Sequence, residues 1–272
     1  MKILEQVMTN NLTVTRYDVT DVIKDNQSII NAVVEIATTC YGKDSSNMNN
    51  DKKYSLYKKL MSEQNDNPTE IFEFIPVVIK KHDYYGKLNN CDLCSKYLQN
   101  TTYFHKEYVN ESIKSKYNEL ILTNLRNSKK LNYKIYDNIK SIKTLNDDFY
   151  IFKLELPLFV VQHLLRHRSL SFNQRSNRYV NNGEYFVPDG IDENKMLEML
   201  KSKPIPYIKE WLKENNVRKE LINKFPTMWE ITELWVSGFS YNFEHMFGVR
   251  SGNKTMKETR DIIELMKETI WV

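Results

Sequence analysis

"LLRHRSLSFNQRSNRYV", residues 164–180, holds Arg166, Arg168, Arg175 and Arg178 together with His167. No acidic residue stands between Glu155 and Glu184. The arginines are interleaved with Ser, Asn and Gln, and with no lysine. Just upstream, "DDFYIFKLEL" alternates as a strand does. Pro157 then sits where a first helical residue belongs, because its missing N–H costs nothing there. Val161, Leu164 and Leu165 supply a buried helix face. The stretch therefore reads as a helix C-terminus carrying Arg166, His167 and Arg168, followed by a polar loop and a short strand, "GEYFVP".

Spacing gives this segment its chemistry. Gln162 and Arg166 are four apart, which puts them on one helix face and within reach of one ligand. Arg166, His167 and Arg168 are consecutive and fan out by about 100° each. Such a fan suits two ligands, or one large ligand. Ser171, Asn173, Gln174, Ser176 and Asn177 offer hydroxyls, amides and exposed backbone. Short polar loops of this kind bind phosphate while an arginine forks onto its oxygens, and Ser176 with Arg178 fits that pairing. The alternative is an exposed basic loop that touches nucleic-acid phosphates and catalyses nothing. It leaves the exclusive use of arginine unexplained.

The rest of the chain sets bounds. It has 272 residues and a formal net charge of +4, the sum of the four arginines above. Elsewhere acids and bases nearly balance, so local charge matters more than the total. Residues 1–30 contain no long apolar run, which predicts a soluble, cytoplasmic protein with no membrane partner. Three cysteines, Cys40, Cys91 and Cys94, do not form a disulfide framework. Cys91 and Cys94 with His82 and His105 match no strong zinc template, so no metal is expected. His163 reads as a packing or interface residue.

Helices are expected from about Ser28, over "KKYSLYKKLMSEQ", and around 194–203, 207–224, 228–247 and 255–270. "IFEFIPVVIKK" reads as a strand. Residues of about 76–147 read as a largely helical insertion, with Ile113, Tyr117, Leu120, Ile121 and Leu125 on one helix face. The fold class is α+β: one antiparallel sheet with surrounding helices and this insertion, in a single domain spanning 1–272.

"RHRSLSFNQRS" is Arg-His-Arg, seven residues, then Ser. That spacing resembles the signature of the flavin-dependent thymidylate synthases, the thymidylate synthase-complementing proteins. "PLFVVQHLLRHR" is similar to the entry of that motif, and "SNRY" with "YFVP" to its exit. "LYKKLMSEQNDNPTEIFEF" and "HMFGVRSGNKTMKETR" resemble two further segments of the family. The resemblance implies that fold and a homotetramer with FAD at its subunit interfaces. It implies methylation of dUMP to dTMP, with methylenetetrahydrofolate as carbon donor and NADPH as reductant of the flavin.

Carried over, Arg168 and Arg250 would be catalytic. Gln162, Arg166, Gln174, Arg175, Ser176, Asn177, Arg178 and Arg250 would bind substrate. Thr69, Glu73, Arg166, His167, Arg168, Ser169, Asn173 and His245 would bind FAD. The partners implied are a pyrimidine nucleotide, folate and NADPH, and nucleic acid is not expected. The chain departs from the family where Gln174 replaces a glutamate, Ile222 an arginine, and Phe239 and Tyr241 an Asn and an Arg. Cys40 stands where a serine is common. A member acting on another pyrimidine nucleotide, or a non-catalytic nucleotide- or nucleic-acid-binding homologue, remains an alternative.

Overall fold

A computed structural model describes residues 1–9, 12–66, 69–80, 106–108, 120–130, 145–176, 184–225 and 227–271. In chain order the strands are β1 (Ile3–Thr9), β2 (Leu12–Tyr17), β3 (Pro76–Lys80), β4 (Lys106–Tyr108), β5 (Leu120–Asn124), β6 (Phe149–Pro157), β7 (Ser171–Gln174) and β8 (Ile231–Phe239). The helices are α1 (Val19–Val22), α2 (Asn26–Thr39), α3 (Asn50–Asp66), α4 (Leu125–Lys130), α5 (Leu145–Asp148) and α6 (Leu158–Leu164). They continue with α7 (Glu193–Ser202), α8 (Ile205–Glu214), α9 (Lys219–Lys224), α10 (Ser240–Arg250) and α11 (Lys257–Glu268).

The main sheet is antiparallel, in the order β1-β2-β6-β8-β7. Its long central pair runs in register from Phe149↔Phe239 to Pro157↔Ile231. Because side chains alternate along a strand, β6 feeds two cores. Tyr150, Phe152, Leu154 and Leu156 pack with Phe159, Trp229, Phe243 and Ile262 beneath the C-terminal helices. Phe149 and Ile151 pack on the other face with Trp235, Val33, Ile36, Phe72 and Leu122. Each fully buried aliphatic or Phe side chain contributes about 1.5–3 kcal/mol.

Local signals explain the boundaries. Asp25 caps α2 by accepting from the Ser28 backbone N–H at 2.7 Å, one turn ahead of the apolar stripe. Pro157 ends β6 and is the N-cap of α6, one position earlier than expected. Arg16 lies over the Tyr150 ring and donates to the carbonyls of Thr269 and Asn146, at 2.7 and 2.5 Å.

Three expectations are corrected. The 228–247 segment is not one helix: its first half is β8 and its second is α10. "ITELWVSGF" is buried on both faces, and a continuous apolar run shows neither helix nor strand period. The polar stretch after Ser169 is not all loop, since Ser171–Gln174 pairs with β8 at the sheet edge. The described part of the 76–147 segment is mostly strand. Leu120, Ile121 and Leu122 lie in β5, between β3 and β4, in a second antiparallel sheet. "PVVIK" is β-branched, and its open edge is satisfied by pairing Val77↔Thr123 and Val78↔Leu122. Val77 and Leu122 are buried in the core shared with the main sheet. Ile113 and Tyr117 lie outside the described residues.

Candidate active site

The arginine-rich motif is anchored at the end of α6. Leu165 N bonds to Val161 O at 2.9 Å, His167 N to Leu164 O at 3.0 Å, and Leu170 N to His167 O at 3.0 Å. The helix stops at Leu164 and tight turns follow, so Arg166 and Arg168 project from a turn rather than from a helix fan. Both are exposed, while His167 between them is only 7% exposed. Gln162 is also exposed, with its amide 3.8 Å from Met228 Sδ.

Arg250, at the end of α10, meets this turn. Its Nε donates to His167 Nε2 at 3.0 Å, and its Nη2 donates to the His163 carbonyl at 3.0 Å. His245, one turn earlier on α10 and exposed, sets its ring edge-on to His167 at 6.2 Å between centroids. Burial, then the charge of Arg250, then His245 push the His167 pKa down to about 4, so the ring is neutral at physiological pH. Burial also lowers the Arg250 pKa, as does Arg166 close by. His163 is half-buried, with Nδ1 2.8 Å from Thr259 Oγ1.

A second group lies under β7. Ser171 Oγ donates to Glu73 Oε2 at 2.9 Å, and Arg126 pairs with the other oxygen of the same buried carboxylate. Asn173 donates to Ile36 O at 2.6 Å and accepts from Cys40 Sγ at 2.8 Å. Burial raises the Cys40 thiol pKa, so it is a poor thiolate nucleophile. Thr69, ahead of the 3-10 turn Glu70–Phe74, has a buried hydroxyl with no partner among the described residues. Asn242 Nδ2 reaches Ser169 O at 3.2 Å.

The third group follows β7. Arg175 donates to Glu233 Oε1 at 2.7 Å, and Lys153 reaches Oε2 at 2.7 Å. The backbone N–H of Arg175 is committed to Glu233 O, and that of Ser176 to Cys40 O. Gln174 is half-buried opposite Leu234. Beside Lys153 and Glu233 opens a cleft of about 560 Å³ lined also by Lys43, Ser45, Lys53 and Trp235. Asn177 and Arg178 lie outside the described residues, as do Cys91, Cys94, His82 and His105.

Thus the structure brings Arg166, His167, Arg168, Ser169, His245 and Arg250 together. It sets Glu73, Asn173 and Arg175 into internal networks. Arg126 and Glu233 were not legible as site residues, since each meets its partner from an element distant in sequence. No group of His, Cys, Asp and Glu suited to a metal occurs among the described residues. No helix among them is long and apolar enough to cross a membrane.

The antiparallel sheet ends in an edge strand that follows an Arg-His-Arg turn, and an arginine from a later helix clasps that turn. Residues 96–271 match the family described as thymidylate synthase complementing protein, and the chain belongs to that family. The matched range begins inside the 76–147 segment and leaves out Thr69 and Glu73. The flavin-dependent thymidylate synthase of Aquifex aeolicus (strain VF5) is 26% identical over 145 residues, 45% of this chain and 45% of that protein. The chain thus spans less than half the length of that relative. Two structures of the UMP/dUMP methylase PolB from Streptomyces cacaoi are similar over 44% of this chain. The one bound with 5-Br dUMP is 18% identical, with 64% of its chain covered and a TM-score of 0.32. The one bound with 5-Br UMP is 19% identical, with 67% covered and a TM-score of 0.31. At that level of likeness neither bears on the substrate of this chain.

Proposed function

We propose that this protein is a flavin-dependent methylase that converts dUMP to dTMP, working as a cytoplasmic homotetramer. One observation carries the reading: in a member of this family, Arg250 arrives beside the Arg166–Ser169 turn with its guanidinium held and part-exposed. Methylenetetrahydrofolate would give the one-carbon unit, and NADPH the electrons.

The donor set fits FAD. Arg166 and Arg168 are exposed on the turn and offer planar, always-charged forks to a diphosphate. His245 and Ser169 flank them, and the orphaned Thr69 hydroxyl lies on the segment joined to β7 through Glu73 and Ser171. When bound, FAD would supply the hydride that completes the methyl group. Arg250 would stabilise negative charge developing on a pyrimidine carbonyl oxygen. Arg168 would hold anionic groups of cofactor or substrate, and Gln162, with Arg166, the nucleotide. Gln174, Ser176 and the Asn177–Arg178 segment would complete the phosphate side. Glu73 and Asn173 would support the flavin site through the positions of β7 and α2. The Cys40 thiol, bonded to Asn173, has no nucleophilic part in this scheme.

A second reading, a nucleotide-binding homologue without turnover, is favoured by one feature. Phe239 and Tyr241 stack with rings 3° from parallel and 5.6 Å apart, where the family resemblance places polar flavin contacts. The deciding experiment is the visible spectrum of the protein mixed with FAD, before and after adding dUMP. A bound-flavin spectrum that shifts on adding dUMP supports the methylase. Bound flavin indifferent to dUMP turns the search to other pyrimidine nucleotides, and no bound flavin favours the silent homologue.

A further inference from the structure

We infer that His167 is a positioning residue for Arg250: its ring Nε2, kept as a lone-pair acceptor, fixes the direction in which the guanidinium faces the ligand. The inference rests on the proposal that Arg250 contacts the nucleotide.

The geometry carries it. An arginine side chain has only donors, so a 3.0 Å contact from Arg250 Nε requires an unprotonated Nε2 on His167. The ring proton of the neutral imidazole then sits on Nδ1. The second tether, from Nη2 to the His163 carbonyl at 3.0 Å, comes from the last turn of α6. A planar fork held at Nε and at Nη2 has lost its rotations. Of its five N–H donors, two are used by these bonds, leaving three among the described contacts. The carbonyl tether alone would leave the guanidinium free to swivel.

The surroundings keep His167 in its accepting form. Arg250 and His245 face it from α10, and Arg166 and Arg168 flank it in the chain. All of these are basic. A proton on Nε2 would set donor against donor and cation beside cation, so the bond to Arg250 and the aim of its fork would be lost together. Burial, then Arg250 and His245, depress the imidazole pKa, which keeps the acceptor available through the physiological range.

Two readouts test this. The first needs no ligand: ring nitrogen resonances of His167, in protein with labelled histidine, at neutral pH. The expected result is a neutral ring protonated on Nδ1, with an Nε2 signal that moves in Arg250→Gln. A ring protonated on Nε2 overturns the inference. The second is dUMP affinity by titration calorimetry for wild type, His167→Leu and His167→Gln, each checked for folding by its thermal midpoint. Loss of the acceptor in His167→Leu should weaken binding about tenfold or more. His167→Gln, whose amide oxygen can occupy the acceptor position, should recover most of that loss. Equal affinity in wild type and His167→Leu, or no recovery by the glutamine, overturns the inference. Wild type that does not bind dUMP sinks the nucleotide reading instead, and the resonances alone then decide whether His167 orients Arg250.

Discussion

The Ser171 hydroxyl donates to Glu73 Oε2 at 2.9 Å, tying the first residue of the edge strand β7 to the 3-10 turn Glu70–Phe74. Arg126 takes the other oxygen from α4, so one buried carboxylate links three segments. Removing one partner of a buried pair leaves a charge without compensation. Glu73→Ala should therefore cost up to about 3–5 kcal/mol, deprive Arg126 of its nearest carboxylate while Glu70 stays 3.8 Å away, and loosen β7. Ser171→Ala should cost less, about 1–3 kcal/mol. Urea denaturation checks both, and a Glu73→Ala midpoint equal to wild type would contradict the linkage.

For catalysis the informative replacements are Arg168→Ala and Arg250→Ala. If Arg250 stabilises charge at the pyrimidine, its loss should lower the rate of dTMP formation about 10²–10³-fold, as loss of an oxyanion donor does elsewhere. Arg250→Lys should not restore it, because a lysine cannot bridge His167 and a ligand with one planar fork. Radiolabelled dUMP turnover measures this directly. Near-normal rates in Arg250→Ala would remove that residue from the chemistry.

Acid stability has a definite sign. His167 titrates near 4 in the folded chain, against an ordinary value of 6.5. As pH falls below about 6.5 the unfolded chain binds this proton first, so the His167 contribution to stability declines between about pH 6.5 and 4 and changes no further below. Above 6.5 the ring is neutral in both states and contributes no pH dependence. Thermal midpoints in matched buffers should fall across that window in wild type. His167→Gln, which cannot titrate, should show a flatter profile, and parallel profiles would refute the assignment.

These relationships were unequally legible in the sequence. β6 was readable because "DDFYIFKLEL" alternates and Pro157 punctuates its end. The Arg166–Ser176 spacing was readable because it is local. β8 was hidden because Leu234, Trp235 and Val236 are buried on alternating faces, leaving no polar face to reveal a period of two. β7 was hidden because "SFNQ" is short and polar, and only the β8 edge makes it a strand. The ion pairs were out of reach for a related reason. Arg126 meets Glu73 across 53 positions and Arg175 meets Glu233 across 58, so each needs the sheet order first. The acid missing from residues 156–183 is supplied by the neighbouring strand.

One more prediction joins the sheet to the arginine turn. Gly238, near the end of β8, sits under Leu170, the buried residue that closes the turn carrying Arg166 and Arg168. A Cβ at 238 would lie 2.6 Å from Leu170 Cδ2, closer than such contacts allow. Gly238→Ala must therefore push Leu170, at a cost of about 1–3 kcal/mol for overpacking. Leu170→Ala alone should cost about 2–5 kcal/mol by leaving a cavity. In the double variant the added methyl enters that cavity, so the combined loss should be smaller than the sum of the two. Thermal or urea denaturation of the four proteins gives the coupling. Strict additivity would mean that Gly238 and Leu170 do not compete for the same space, and that the turn is positioned by its backbone bonds and the Arg250 and Asn242 contacts instead.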